Sequence, residues 1–171
     1  MKYKHTPKES NRTQANMFIN SGQQHILSKW LECKYSLLER SPEIYTRIHT
    51  LLQGPITNKT ICQIYFGIEA ALYQTPKIGC RVSAALHVWG KLKGKAKNGD
   101  KLHFFYFLDA FRRRRITIRG AKRILYRLAQ KQRNEELLNS RYFEELKERN
   151  LEASDTGACG SEGTRSSPII L

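Results

Sequence analysis

The sequence predicts an all-α protein, a compact bundle of about six to seven helices. Three observations predict it. Apolar residues recur every three or four positions through most of the chain, no segment shows the apolar–polar alternation of a half-buried strand, and the segments are punctuated by helix start and stop signals. No internal repeat is present, so one bundle is expected rather than a solenoid.

Residues 1–14 are polar and basic, contain Pro7 and lack periodicity, which predicts a flexible arm ahead of a helical domain over 15–150. From 16 to 41 the apolar residues Met17, Phe18, Ile26, Leu27, Trp30, Leu31, Leu37 and Leu38 have helical spacing, read as a short helix, a turn around Ser21 and Gly22, and a longer helix ending near Arg40. SPEIYTRIHTLLQG then supplies Ser41 as N-cap, Pro42 at the first helical position, Glu43 in the first turn and Gly54 after the last apolar residue. In NKTICQIYFGIEAALYQTP, Ile61, Ile64, Tyr65, Ile68, Ala71 and Leu72 form one face. Gly67 weakens that helix by about 1 kcal/mol relative to Ala unless a neighbour packs on it. A helix over 79–93 carries Val82, Ala85, Leu86 and Trp89 on a stripe.

After the Lys- and Gly-rich loop KGKAKNGD, Asp100 is the expected N-cap of a helix over 101–115. Its continuous apolar run FFYFL predicts enclosure on most sides. Thr117 is the expected cap of the next helix, in which Ile118, Ala121, Ile124, Leu125, Leu128 and Ala129 lie within about 140° of arc, with Arg119, Arg123, Arg127 and Lys131 stepping by four along the opposite side. A last helix begins near Asn134 and carries Leu137, Leu138, Tyr142, Phe143 and Leu146. The Ser-, Gly- and Thr-rich stretch 151–171 predicts a disordered tail.

Charge is the strongest functional signal. The chain has a formal net charge of +15, and residues 112–133 hold ten of its thirty Lys and Arg without one Asp or Glu. Opposite-charge partners one helical turn away would relieve that repulsion, and their omission points to a polyanionic partner. Arg112, Arg113, Arg114, Arg115, Arg119, Lys122, Arg123, Arg127 and Lys131 are the expected binding residues, with DNA, RNA or an acidic protein as partner.

Other chemistry is thinly supported. The histidines (His5, His25, His49, His87, His103) stand singly, and no HExxH, GxSxG, phosphate loop or dinucleotide fingerprint occurs. The cysteines Cys33, Cys62, Cys80 and Cys159 form no CxxC and no zinc spacing. No catalytic residue, metal or cofactor is therefore assigned. The absence of an apolar signal segment in MKYKHTPKESNRTQ, and of any apolar run near the roughly 20 residues of a membrane span, lead to the expectation of a cytoplasmic protein that does not enter a membrane.

A family resemblance emerges from four short segments in order. KYSLLERSPEIYTRI (34–48) resembles the segment K-x-L-L-x-A-H-S-P-x-x-Y of the YbgA-like family, LHVWGKLK (86–93) its L-x-H-x-x-G-Y-F-K, FLDAFRRR (107–114) its L-I-x-x-Y-R-x-G, and LLNSRYFEEL (137–146) its Y-L-x-x-Q-x-Y-F. The resemblance implies a bacterial all-helical domain of unknown function, found alone or fused behind a domain related to thiouracil desulfidases. The polar positions carried over are Lys34, Ser41, Tyr45, His87, Asp109, Arg112 and Arg113. The chain departs from the pattern at Arg40, where the family has His, at Arg114, where it has Gly, and at Thr117 and Ala121, where it has Pro. The domain fusion also implies an alternative role, as an enzyme or enzyme subunit acting on a small substrate such as a modified nucleobase.

Overall fold

One long helix organises the chain. The computed structural model describes residues 7–147, with side chains described from Ser21 onward; residues 1–6 of the expected arm and the expected tail at 151–171 lie outside these. Seven α-helices are described: α1 (Pro7–Arg40), α2 (Pro42–Leu51), α3 (Asn58–Leu72), α4 (Ile78–Leu92), α5 (Asn98–Arg112), α6 (Arg119–Lys131) and the single turn α7 (Glu135–Leu138). Short 3-10 turns occupy Lys93–Lys95 and Arg141–Phe143, and the described residues contain no strand. The expected all-α bundle is what forms.

The turn expected at Ser21 and Gly22 does not occur, because α1 runs through it. Gly22 has a packing role instead. A Cβ there would lie 3.2 Å from Ile61 Cδ1, so the glycine lets α3 approach α1 closely, and Gln23 Nε2 donates to the Ile56 carbonyl 2.9 Å away. Gly67 works alike on the other side of α3, facing Ile44 and Ile48 of α2. The neighbour needed to offset its low helix propensity is therefore present.

Because α1 packs on two sides, it carries two apolar stripes. Ile26, Trp30, Cys33 and Leu37 join Ile48 of α2 and Ile64, Ile68 and Ala71 of α3 in one buried cluster. Tyr35 and Leu38 point the other way, into a larger cluster built from α4, α5, α6 and the chain that follows them. Leu27, Leu31, Tyr65 and Leu86, all expected on buried stripes, are exposed. In α1, Cys33 and Tyr35 occupy the packed positions instead.

Helix ends correct several expected boundaries. Ser41 does occupy the N-cap of α2 with Pro42 behind it, but its hydroxyl makes no capping bond. Asp100 is not the cap of α5. It sits in the first turn and accepts from Lys97 N at 3.1 Å, satisfying a donor one turn earlier than expected. Only Phe104, Leu108 and Phe111 of α5 are buried, whereas Leu102, Phe105 and Tyr106 are exposed, so that helix is enclosed on one side rather than most. Ile118, not Thr117, is the residue preceding α6. The expected last helix is broken: Ser140 turns extended (ψ 146°) and its hydroxyl bonds the Leu137 carbonyl at 2.7 Å, so the chain leaves α7 after four residues and re-enters as the 3-10 turn.

Gly120 fixes the contact between α5 and α6. A Cβ at this position would fall on the Phe107 ring, with Cγ and Cε1 both 3.0 Å away. Gly120→Ala is therefore expected to destabilise the domain by about 1–3 kcal/mol in urea unfolding, despite the better helix propensity of Ala. Adding Phe107→Leu should recover part of the loss.

Candidate nucleic-acid interface

The basic segment 112–133 folds as the end of α5, a turn, and all of α6. Helix α6 is strongly two-faced. Ala121, Ile124, Leu125, Leu128 and Ala129 are buried, and Arg123, Arg127 and Lys131 are exposed on the other side. Arg112, Arg113, Arg114 and Arg115 are likewise exposed. Among these, Arg113 has an acidic partner, its Nε lying 2.8 Å from Asp109 on the same helix, an exposed i,i+4 pair of little energetic weight.

Lys122 does not belong to this face. It is 4% exposed, and its ammonium sits 2.8 Å from Glu39 Oε2 of α1 and 3.3 Å from the Tyr142 carbonyl, 4.2 Å above the Tyr142 ring. A buried lysine requires such a partner. Arg119 is intermediate: it is partly buried, and its Nε has no hydrogen-bond partner.

Two arginines occupy unusual backbone positions. Arg114 has φ +57° and Arg133 has φ +50°, both in the left-handed region that favours glycine. Each closes a helix in the same way. Arg114 N donates to Phe111 O (2.9 Å) and Arg115 N to Ala110 O (3.0 Å) after α5, while Arg133 N donates to Gln130 O (3.1 Å) and Asn134 N to Ala129 O (3.0 Å) after α6. This paired bonding is the Schellman termination, whose left-handed residue is usually Gly. Arg114 also stands at the glycine of the YbgA-like pattern.

Between α5 and α6 runs a groove of about 430 Å³, lined among others by Phe107, Arg119, Gly120, Arg123, Tyr126 and Arg127. Phe107 and Tyr126 share its lining with Arg119, Arg123 and Arg127, side-chain types able to contact bases and phosphates respectively.

The remaining family-matched positions lie elsewhere. Lys34 Nζ approaches Glu136 Oε1 at 2.6 Å, and Tyr35 donates to the same oxygen at 2.7 Å, tying α1 to α7. The His87 ring is 6.0 Å from that of Tyr35 and 6.3 Å from that of Tyr45, and Tyr45 stacks on His49. Burial, with Lys91 and Lys34 nearby, lowers the His87 pKa, which favours a neutral ring. Lys34, Tyr45 and His87 therefore share a neighbourhood, whereas Asp109 pairs with Arg113 on α5. Among the described residues no group of three or more His, Cys, Asp or Glu is arranged to hold a metal ion. Nor is any described helix long and apolar enough to cross a membrane.

The Lys34 bond, followed by that of Tyr35, holds the Glu136 carboxyl below the usual glutamate range. A depressed carboxyl contributes stability above its unfolded pKa and loses it as pH falls through the folded value. Glu136→Gln should therefore destabilise by about 1 kcal/mol at pH 7, a small figure because the side chain is partly exposed, and by progressively less as pH falls through the folded value, as read by urea unfolding over an acid pH series.

Residues 34–146, more than half of the chain, match the sequence profile described as protein of unknown function (DUF1722). The chain belongs to that family. No curated protein and no solved structure matches it.

Proposed function

We propose that this chain, a YbgA-like member of its family, is a non-catalytic module that binds nucleic acid through the α5–α6 face. The observation that carries the reading is the pair of left-handed arginines. Glycine at either position would relieve the backbone, and an exposed arginine held there instead adds a cation to a segment that already has an excess. Arg112, Arg115, Arg123, Arg127 and Lys131 extend the same charge, and the groove beside Tyr126 and Phe107 offers apolar faces to bases. Binding to a short duplex and to single strands, measured at 50 and 200 mM salt, tests this. Neutralisation of six to ten phosphates would weaken affinity by roughly 10³ to 10⁵ across that range, and absent or salt-insensitive binding would remove the proposal.

A further inference from the structure

Helix α5 carries an apolar face that the described residues leave uncovered. Leu102, Phe105 and Tyr106 stand at i, i+3 and i+4, so they are neighbours on the helix surface, and all are exposed, Tyr106 at 69%. Apolar side chains exposed together, unlike ones scattered singly, call for a partner. The patch runs on into the α5–α6 groove: the Tyr106 ring meets that of Phe107 edge to face at 5.6 Å, and Phe107 lines the groove.

The charges around it narrow the choice of partner. Exposed cations flank the patch along α5, Lys101 on one side and Arg112 and Arg113 on the other, the last two placed two helical turns beyond Phe105 and Tyr106. Asp109 also lies on this face, and its carboxylate is paired with Arg113 at 2.8 Å. In the groove Arg119, Arg123 and Arg127 follow one another at helical-turn spacing, and among the described residues no carboxylate lines it. The Nε of Arg119 is buried there without a hydrogen-bond partner among these residues. An apolar protein segment would cover the aromatic patch and leave the cations unanswered. A polyanion whose units carry flat rings answers both, and Phe105, Tyr106, Phe107 and Tyr126 are aromatic, as stacking requires.

We infer that the nucleic acid taken by this face is single-stranded, with unpaired bases set against Phe105 and Tyr106 and one nucleotide in the groove, its phosphate toward the arginines. The inference rests on the nucleic-acid reading above and narrows it. In a duplex each base face is already covered by its neighbours, and a base must be turned out of the stack before a side chain can cover it. A single strand offers those faces freely, and stacking on them is tolerant of sequence. The groove, at about 430 Å³, has the size of a small-ligand site and room for one unpaired nucleotide.

The experiment is fluorescence anisotropy of the full chain with a labelled mixed-sequence strand of about twelve nucleotides, and with the duplex it forms with its complement, over a salt series. The strand is expected to bind about fivefold or more tighter than the duplex at equal salt. Tyr106→Ala should weaken the strand about fivefold or more at every salt concentration, the loss of one stacked base, while leaving the salt slope and the duplex affinity unchanged. Tyr106→Phe should bind the strand as the native chain does. Arg123→Gln/Arg127→Gln should instead lower the salt slope with either probe. Duplex binding as tight as strand binding, or strand binding undiminished in Tyr106→Ala, overturns the inference and leaves the nucleic-acid reading standing. Polyglutamate that binds the native chain, and loses as much affinity as the strand does in Tyr106→Ala, would assign the patch to an acidic protein and overturn it too. Absence of binding to both nucleic-acid probes removes the broader reading as well.

Discussion

Replacing Lys122 with Met is expected to destabilise the domain by about 3–5 kcal/mol in urea unfolding, among the largest effects of any single substitution in this chain. The loss does not arise from the strength of the ion pair. Glu39 and Lys122 are both nearly excluded from water, and the attraction between them mainly offsets the desolvation that each suffers. Removing the ammonium strands a carboxylate whose remaining cation, Arg81, stands too far away to hydrogen-bond. Glu39→Gln/Lys122→Met should then regain much of the loss, because neither buried charge remains and Arg81, a third exposed, can turn toward solvent. A loss below about 1 kcal/mol in Lys122→Met would show that Glu39 reaches water.

Much of the architecture was legible because helix periodicity and caps are local signals. Ser41-Pro42 marks the start of α2, and the α6 stripe from Ala121 to Ala129 is buried as its spacing requires. What local signals could not convey was which side of a helix a distant segment would cover. Gly22 resembles a turn until Ile61, nearly forty positions later, arrives beside it. Lys122 reads as one more cation in a basic run because its partner Glu39 lies 83 residues away. Leu27 and Leu31 fit the helical pattern of α1, yet no described element buries them. The left-handed cap at Arg114 had a trace in the resemblance, where the family has glycine; the one at Arg133 had none.

Arg114→Gly/Arg133→Gly should make the domain more stable and a weaker binder at once. Relieving a left-handed side-chain residue is worth about 1 kcal/mol per site, reduced somewhat by the greater freedom of glycine in the unfolded chain. Each arginine that contacts phosphate also adds about 0.9 to the slope of log affinity against log salt, equivalent to roughly eightfold in affinity at 0.1 M salt. If both contact the backbone of the nucleic acid, affinity falls on the order of 10²-fold and the slope by about two, while the urea midpoint rises. Arg123→Gln/Arg127→Gln should produce a similar loss of binding with little change in stability, since both side chains are exposed and neither backbone is strained. The contrast separates the possible origins of the strained arginines. A gain in stability with binding unchanged would mean that Arg114 and Arg133 are tolerated accidents of helix termination, and the α5–α6 face would then have to rest on the α6 stripe alone. Opposite movements of stability and affinity in one variant, with the α6 variant moving affinity only, are what a surface selected for an anionic partner requires.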